Sequence, residues 1–240
     1  MSASAETDPK HEDAAGPAAA GDDTPIAVFD LDGTLLRSDS FLAFLMTFSV
    51  RFRQRRKLVR LPLWVAAYLL RLVSAQRAKQ GLLEYFLGGE PSERIAEHAE
   101  WFCEVWLPSR LHPLGIELLR RHQAAGHRVI LLSASPDLYV PAIGRALGIE
   151  ETICTRVRSA EGRCLGVLDG LNCKGEAKLA ALKDHLACDE APPESFAYGD
   201  SAHDLPVLMW ARQGVLIRRR TLRPLAKARQ LNPRAALREG

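Results

Sequence analysis

A chain of 240 residues has room for one ordinary domain, or for one domain carrying a large insertion, and it can bury a real core. That length excludes a disulfide-stapled miniprotein. The near balance of charge, +3 with 25% charged and 47% hydrophobic residues, gives no reason to expect nucleic acid as a partner.

In chain order, the first 24 residues lean acidic and lack both an apolar stretch and a basic start. They read as a disordered tail and not as a secretory signal. Ile26–Phe29 (IAVF) is a short apolar run that enters the turn Asp30-Leu-Asp-Gly-Thr, the pattern of a buried strand feeding a tight turn. From residue 37 to about residue 113 no strand-like run appears. Apolar residues there recur at three to four residue spacing, as in Phe41, Leu45 and Phe48, and again in Ile95, Phe102, Val105 and Trp106. This predicts a helical insertion of residues 37–113. Within it, Leu61–Leu70 (LPLWVAAYLL) is about half the roughly 20 residues a spanning helix needs, so a buried or interfacial helix is expected.

Downstream, a helix over Leu114–Ala125 is closed by Gly126 and followed by a strand at Arg128–Ser133. Asp137–Leu147 reads as a helix weakened by Pro141 and Gly144. Thr152–Thr155, Ser195–Tyr198 and Val215–Ile217 read as strands, with helices at Glu176–Ala187 and Leu205–Ala211 and a hairpin strand within Gly162–Asp169. Strands alternating with helices predict an α/β fold with a doubly wound parallel sheet formed by residues 25–36 and 114–220, with ligands at the carboxyl ends of its strands. Residues 221–240 read as a basic tail. The five cysteines are odd in number and contain no C-x-x-C pair, which argues against a disulfide framework and a zinc site and predicts reduced thiols in a cytoplasmic protein.

Chemistry-bearing residues gather at the expected strand ends. Asp30 and Asp32, two apart in extended chain, face one side, and Gly33 permits the turn that follows. Paired carboxylates suit a nucleophile and a general acid. A calcium loop would need further oxygen ligands that Thr34-Leu35-Leu36 does not supply. Ser133, followed by Ala134 and Ser135, offers a hydroxyl and free amides for a phosphoryl oxygen, although Ser135 also suits a cap for the next helix. A cation is needed beside the transferred group, and Lys174 and Lys178 compete for that role. Lys178 is preferred because it shares a helix face with Leu182 and Leu186. Asp200 ends a strand, and Asp204 falls in the next helical turn, where it suits a helix cap or a metal-site role. Donors that are all oxygen suit Mg²⁺.

These segments, DLDGT at 30–34, LLSAS at 131–135, the lysine segment 174–178 and GDSAHD at 199–204, resemble the haloacid-dehalogenase superfamily of phosphotransferases. The insertion directly after the first motif resembles the subgroup of phosphoserine phosphatase. The resemblance implies Asp30 as nucleophile, Asp32 as acid/base, and Ser133 and the lysine as phosphate binders. Mg²⁺ would be held by Asp30, Asp200 and the Asp32 carbonyl. Thr34, Ala134 and Ser135 are expected at the substrate, with Ser201 and Asp204 behind the metal site.

The basic, Trp-bearing stretch from Arg51 to Val73 resembles the insertion of bacterial phosphatidylglycerophosphate phosphatases of this superfamily. It implies a lipid phosphate substrate and peripheral contact with an anionic membrane by a monomer. The alternatives are a soluble, phosphoserine-like substrate or a non-catalytic membrane-associated domain. Against phosphoserine, only Asp39 follows the first motif as a partner for a substrate ammonium.

Overall fold

The computed structural model describes residues 24–70, 72–218 and 221–224. The expected tails before residue 24 and beyond residue 224 lie outside the described residues. The strands are β1 (Ile26–Phe29), β2 (Arg128–Pro136), β3 (Glu151–Thr155), β4 (Val157–Ala160), β5 (Arg163–Leu168), β6 (Ser195–Gly199), β7 (Gln213–Arg218) and β8 (Thr221–Pro224). The helices are α1 (Ser40–Arg51), α2 (Leu61–Leu69), α3 (Ala75–Leu87), α4 (Ser92–Trp101), α5 (Pro113–Ala124), α6 (Val140–Ala146), α7 (Glu176–Leu186) and α8 (Leu205–Trp210).

One sheet has the order β3-β2-β1-β6-β7-β8, and its first five strands are parallel. Successive residues of β1 serve opposite faces, as the pleat requires. Ala27 and Phe29 join the core beneath α1, α3, α5 and α6, whereas Ile26 and Val28 join the core beneath α7 and α8. The sheet is therefore covered on both sides, which is why its strands read as continuous apolar runs. Because β1 lies between β2 and β6, the chain leaves it in one direction and returns on the other side. The ends of these three strands meet at that reversal, where open α/β sheets gather ligands.

Four differences from the sequence reading have physical causes. Thr221–Pro224, assigned to a tail, pairs antiparallel with β7 as an edge strand. β2 runs past Ser133 to Pro136 after a register shift against β3, so Ser135 is not the cap of a following helix. The helix expected from Asp137 begins at Val140, and Pro141 sits in its first turn, where a missing N–H costs nothing. Asp137 instead accepts the Val157 amide at 3.1 Å. Finally, β4 and β5 form their own two-stranded sheet packed on α3. A Cβ at Gly166 would overlap the Glu84 backbone, so that hairpin needs glycine there.

Between β1 and β2 the described residues contain helices and no strand. Phe41, Phe44, Leu45 and Phe48 of α1 are buried with Leu83, Phe86, Ile95 and Phe102 and continue into the sheet core through Tyr139 and Val140. In α2, Leu63 is exposed while the Trp64 ring packs over Gly81 of α3. Val105 is likewise exposed, because residues 102–106 form a π-turn that shifts the helical register.

Candidate active site

The Asp30 amide extends the sheet ladder by donating to Tyr198 O at 2.9 Å, which holds the first carboxylate at the end of β1. The chain then folds back, with the Gly33 amide on Leu36 O at 2.8 Å and the Leu36 amide on Leu31 O at 2.9 Å. Gly33 has φ +90°, and a Cβ there would overlap the Asp200 carboxylate. The glycine is thus demanded both by the turn and by the approach of a second carboxylate. Thr34, expected at the substrate, is fully buried, and its hydroxyl donates to Asp30 Oδ2 at 3.2 Å. It can orient Asp30.

Asp32 is held by partners other than those of Asp30. Its Oδ1 accepts the Ser40 amide at 2.7 Å, and its Oδ2 accepts the Ser135 hydroxyl at 2.7 Å. Burial, and after it the nearby Asp39 charge, pushes its pKa up to about 6, against the opposing effect of these hydrogen bonds. A carboxyl group so placed can both carry and accept a proton near neutral pH. Ser133 is buried at the cavity wall, where its Oγ accepts the Ser135 amide at 3.0 Å.

Lys178, in the first turn of α7, is buried between two carboxylates. Its Nζ lies 2.6 Å from Asp30 Oδ1 and 2.6 Å from Asp204 Oδ1. Burial opposes the ammonium, yet the two carboxylates hold its pKa above the ordinary lysine value. Lys174 lines the same cavity.

Asp204 stands just before α8 but makes no side-chain cap bond to it. Its Oδ2 accepts the Ser201 amide at 3.0 Å and the Ser201 hydroxyl at 2.7 Å. Burial would raise its pKa, but Lys178 and Ser201 hold it below the usual carboxylate range. Burial raises Asp30 and pushes Asp200 up to about 6.

Asp30, Asp200 and Asp204 bring carboxylate oxygens within 4.8 Å of one another. The set fits a hard divalent cation, because every donor is oxygen and the turn at Gly33 leaves room for the Asp200 carboxylate. The Asp32 carboxylate lies outside this trio, so only its main-chain carbonyl remains available for the metal role expected of that residue.

A cavity of about 670 Å³ joins these residues. Asp30, Asp32, Ser133, Lys178 and Asp200 line its inner end, together with Ala134, Ser135, Ser201 and Asp204. Its outer wall comes from the helices between β1 and β2, through Phe41, Leu42, Trp64, Ala78, Lys79 and Leu82.

Lys79 and Asn172 escaped the sequence reading. Lys79 Nζ donates to Ala134 O and to Asn172 Oδ1, both at 2.6 Å, and burial followed by the nearby Lys174 charge lowers its pKa to about 8. Position 79 carried no signal, because a lysine on an amphipathic helix ordinarily faces solvent.

Residues 27–209 match the haloacid dehalogenase-like hydrolase family. The chain is similar to protein CicA of Caulobacter vibrioides, at 34% identity over 78% of this chain and 83% of that one. It is also similar to phosphoserine phosphatase SerB1 of Mycobacterium tuberculosis, at 30% identity over 88% and 73%. Among solved structures, a protein of unknown function from Bordetella pertussis Tohama I superposes with a TM-score of 0.66 at 27% identity, covering 78% of this chain and 86% of its own.

Proposed function

The chain belongs to the haloacid dehalogenase-like hydrolase family, and on that footing we propose that it is a Mg²⁺-dependent phosphomonoester phosphatase working through a phospho-aspartate on Asp30. The observation that carries this reading is the buried ion pair between Lys178 Nζ and Asp30 Oδ1 at 2.6 Å, beside a separately held Asp32 carboxyl. Asp30 attacks phosphorus while the ester P–O bond breaks, and the departing oxygen takes the proton of Asp32. Asp32 then removes a proton from water, whose oxygen attacks the acyl phosphate and releases Asp30 and inorganic phosphate. Lys178 offsets charge on Asp30 and on the transferred group, whose oxygens the Ser133 hydroxyl and the Ala134 amide receive. Asp30, Asp200 and the Asp32 carbonyl would hold Mg²⁺, with Asp204 and Ser201 holding the loop, and the ion would supply the remaining charge neutralisation.

For the leaving group, the apolar outer wall favours an amphiphilic phosphomonoester such as a lipid phosphate. Trp64 lines that wall, and around it Val59, Leu63, Leu70 and Leu72 are exposed, as are Arg53, Arg55 and Arg56. Each basic group near an anionic leaflet contributes about 1 kcal/mol. Arg51 contributes less, because it is engaged by Glu97 at 2.7 Å and lies over the Trp101 ring. No helix of the described residues is long and apolar enough to cross a membrane, so the contact proposed is peripheral.

A second reading, a phosphorylated amino acid, is favoured by Asp39 and Lys79, which both line the cavity and offer opposite charges to a zwitterion. A panel of phosphomonoesters, with lipid phosphates in detergent micelles, separates the two. Lipid phosphates hydrolysed best, with vesicle binding lost when Arg53, Arg55 and Arg56 become Gln, support the first. Phosphoserine preferred over every lipid phosphate establishes the second.

A further inference from the structure

One of the two groups that grip Asp32 lies outside the four motifs. Ser40 is the first residue of α1, so its amide sets Asp32 Oδ1 at the positive end of that helix. Behind the carboxylate, the Ser40 hydroxyl lies 3.0 Å from Tyr139 Oη and makes a longer contact of 3.5 Å with Ser135 Oγ. Each hydroxyl carries one hydrogen. With Asp32 ionised, Ser135 gives its hydrogen to Oδ2 and toward Ser40 can only accept, and where Ser40 gives its hydrogen to Ser135 it accepts from Tyr139. All three O–H dipoles then point toward the carboxylate, and each strengthens the next. The far end is rigid, because the Tyr139 ring is 1% exposed, stacks on Phe44 at 4.4 Å and meets Phe102 edge-on at 5.8 Å.

We infer that Ser40 and Tyr139 are positioning residues that fix the direction of the Asp32 carboxyl, so that the aromatic core of the inserted helices orients the proton donor of the sheet. The inference rests on the acid/base reading of Asp32. It explains why two buried hydroxyls from separate elements, 99 residues apart, meet beside a catalytic carboxylate. It also implies that a shift of α1 against the sheet misdirects the proton.

The test compares kcat/KM for phenyl phosphate and p-nitrophenyl phosphate, which differ chiefly in how much the leaving oxygen needs a proton. Ser40→Ala and Tyr139→Phe are expected to lose about tenfold on phenyl phosphate and less than threefold on p-nitrophenyl phosphate. Neither change should cost anything further in an Asp32→Asn background, the non-additivity expected of groups acting through one another. Melting temperatures identify a variant that has merely lost stability, and Tyr139→Phe, which removes a single oxygen, carries the test alone if Ser40→Ala does not fold. Equal losses on both substrates, or losses that add to that of Asp32→Asn, overturn the inference. So do wild-type rates in both variants alongside a leaving-group-dependent Asp32→Asn. An Asp32→Asn variant that loses equally on both substrates overturns the acid/base reading itself, and the inference with it.

Discussion

Replacing Lys178 by Ala tests the centre of the site. Each of its two contacts is 2.6 Å long. At an effective dielectric of about 20, each such pair is worth roughly 6 kcal/mol of gross attraction. Desolvating three charges offsets most of this, so the intact cluster adds little net stability. Removing the lysine alone does not return that cost, because Asp30 and Asp204 stay buried beside each other without their cation. A loss of about 3–5 kcal/mol is therefore expected. At roughly 2–4 °C per kcal/mol for a chain of this size, scanning calorimetry at neutral pH should show a melting temperature lower by about 6–20 °C.

Turnover should fall by about 10²–10³, the range for losing a preorganised charge beside the reacting group. Lys178→Ala/Asp204→Ala should melt higher than the sum of the single losses predicts, since it removes a charge of each sign. Lys174→Ala, the control from the same cavity, should melt and turn over nearly as wild type. A melting temperature within 2 °C of wild type for Lys178→Ala, or strict additivity in the double variant, would refute the reasoning.

Three further outcomes are expected. Gly33→Ala, which forces a Cβ into the Asp200 carboxylate from a backbone at φ +90°, should fold with reduced stability and lose most of its response to Mg²⁺ in a thermal-shift assay; an unaltered response would show that Asp200 is not held by that turn. Wild type should gain about 2.7 kcal/mol at Mg²⁺ a hundredfold above its dissociation constant and be inactive in excess EDTA, whereas Ca²⁺ should bind without supporting turnover; full activity in EDTA would exclude the metal. Burial in a nest of aromatic rings lowers His98 to about 4, so between that value and 6.5 the unfolded chain holds a proton that the folded chain does not. Stability from His98 is then complete above pH 6.5 and declines on acidification, by on the order of 2 kcal/mol at pH 5. Between pH 7.5 and 5, His98→Met should therefore lose less melting temperature than wild type, and parallel curves would count against it.

The sheet was legible because a strand covered on both faces must be largely apolar, as IAVF, RVILLS and SFAY are. Its antiparallel edge was not, since TLRP carries no such run and is a strand only through its bonds to β7. The start of α6 was misjudged for a related reason. Pro141 breaks a helix only in its interior, and whether a position is interior depends on where the preceding strand stops.

Asp30, Asp32, Ser133 and Asp200 stood out because phosphoryl transfer needs particular residue types at strand ends, which can be read from local pattern, and Lys178 because it shares a helix face with Leu182 and Leu186. Lys79 and Asn172 reach the same cavity, and Ser40 and Tyr139 lie behind Asp32, through tertiary packing that no spacing encodes. The division has a chemical consequence. On the proposed mechanism, groups at the strand ends would touch the phosphoryl group that every substrate shares, whereas Phe41, Leu42, Trp64 and Lys79, which line the cavity from the helices, would face whatever departs from it. On that mechanism, changes at the strand ends other than Asp32, whose loss depends on the leaving group, should then slow every substrate alike. Changes in the outer wall must reorder preference among substrates, with Trp64 and Leu82 favouring an apolar leaving group and Lys79 with Asp39 a charged one.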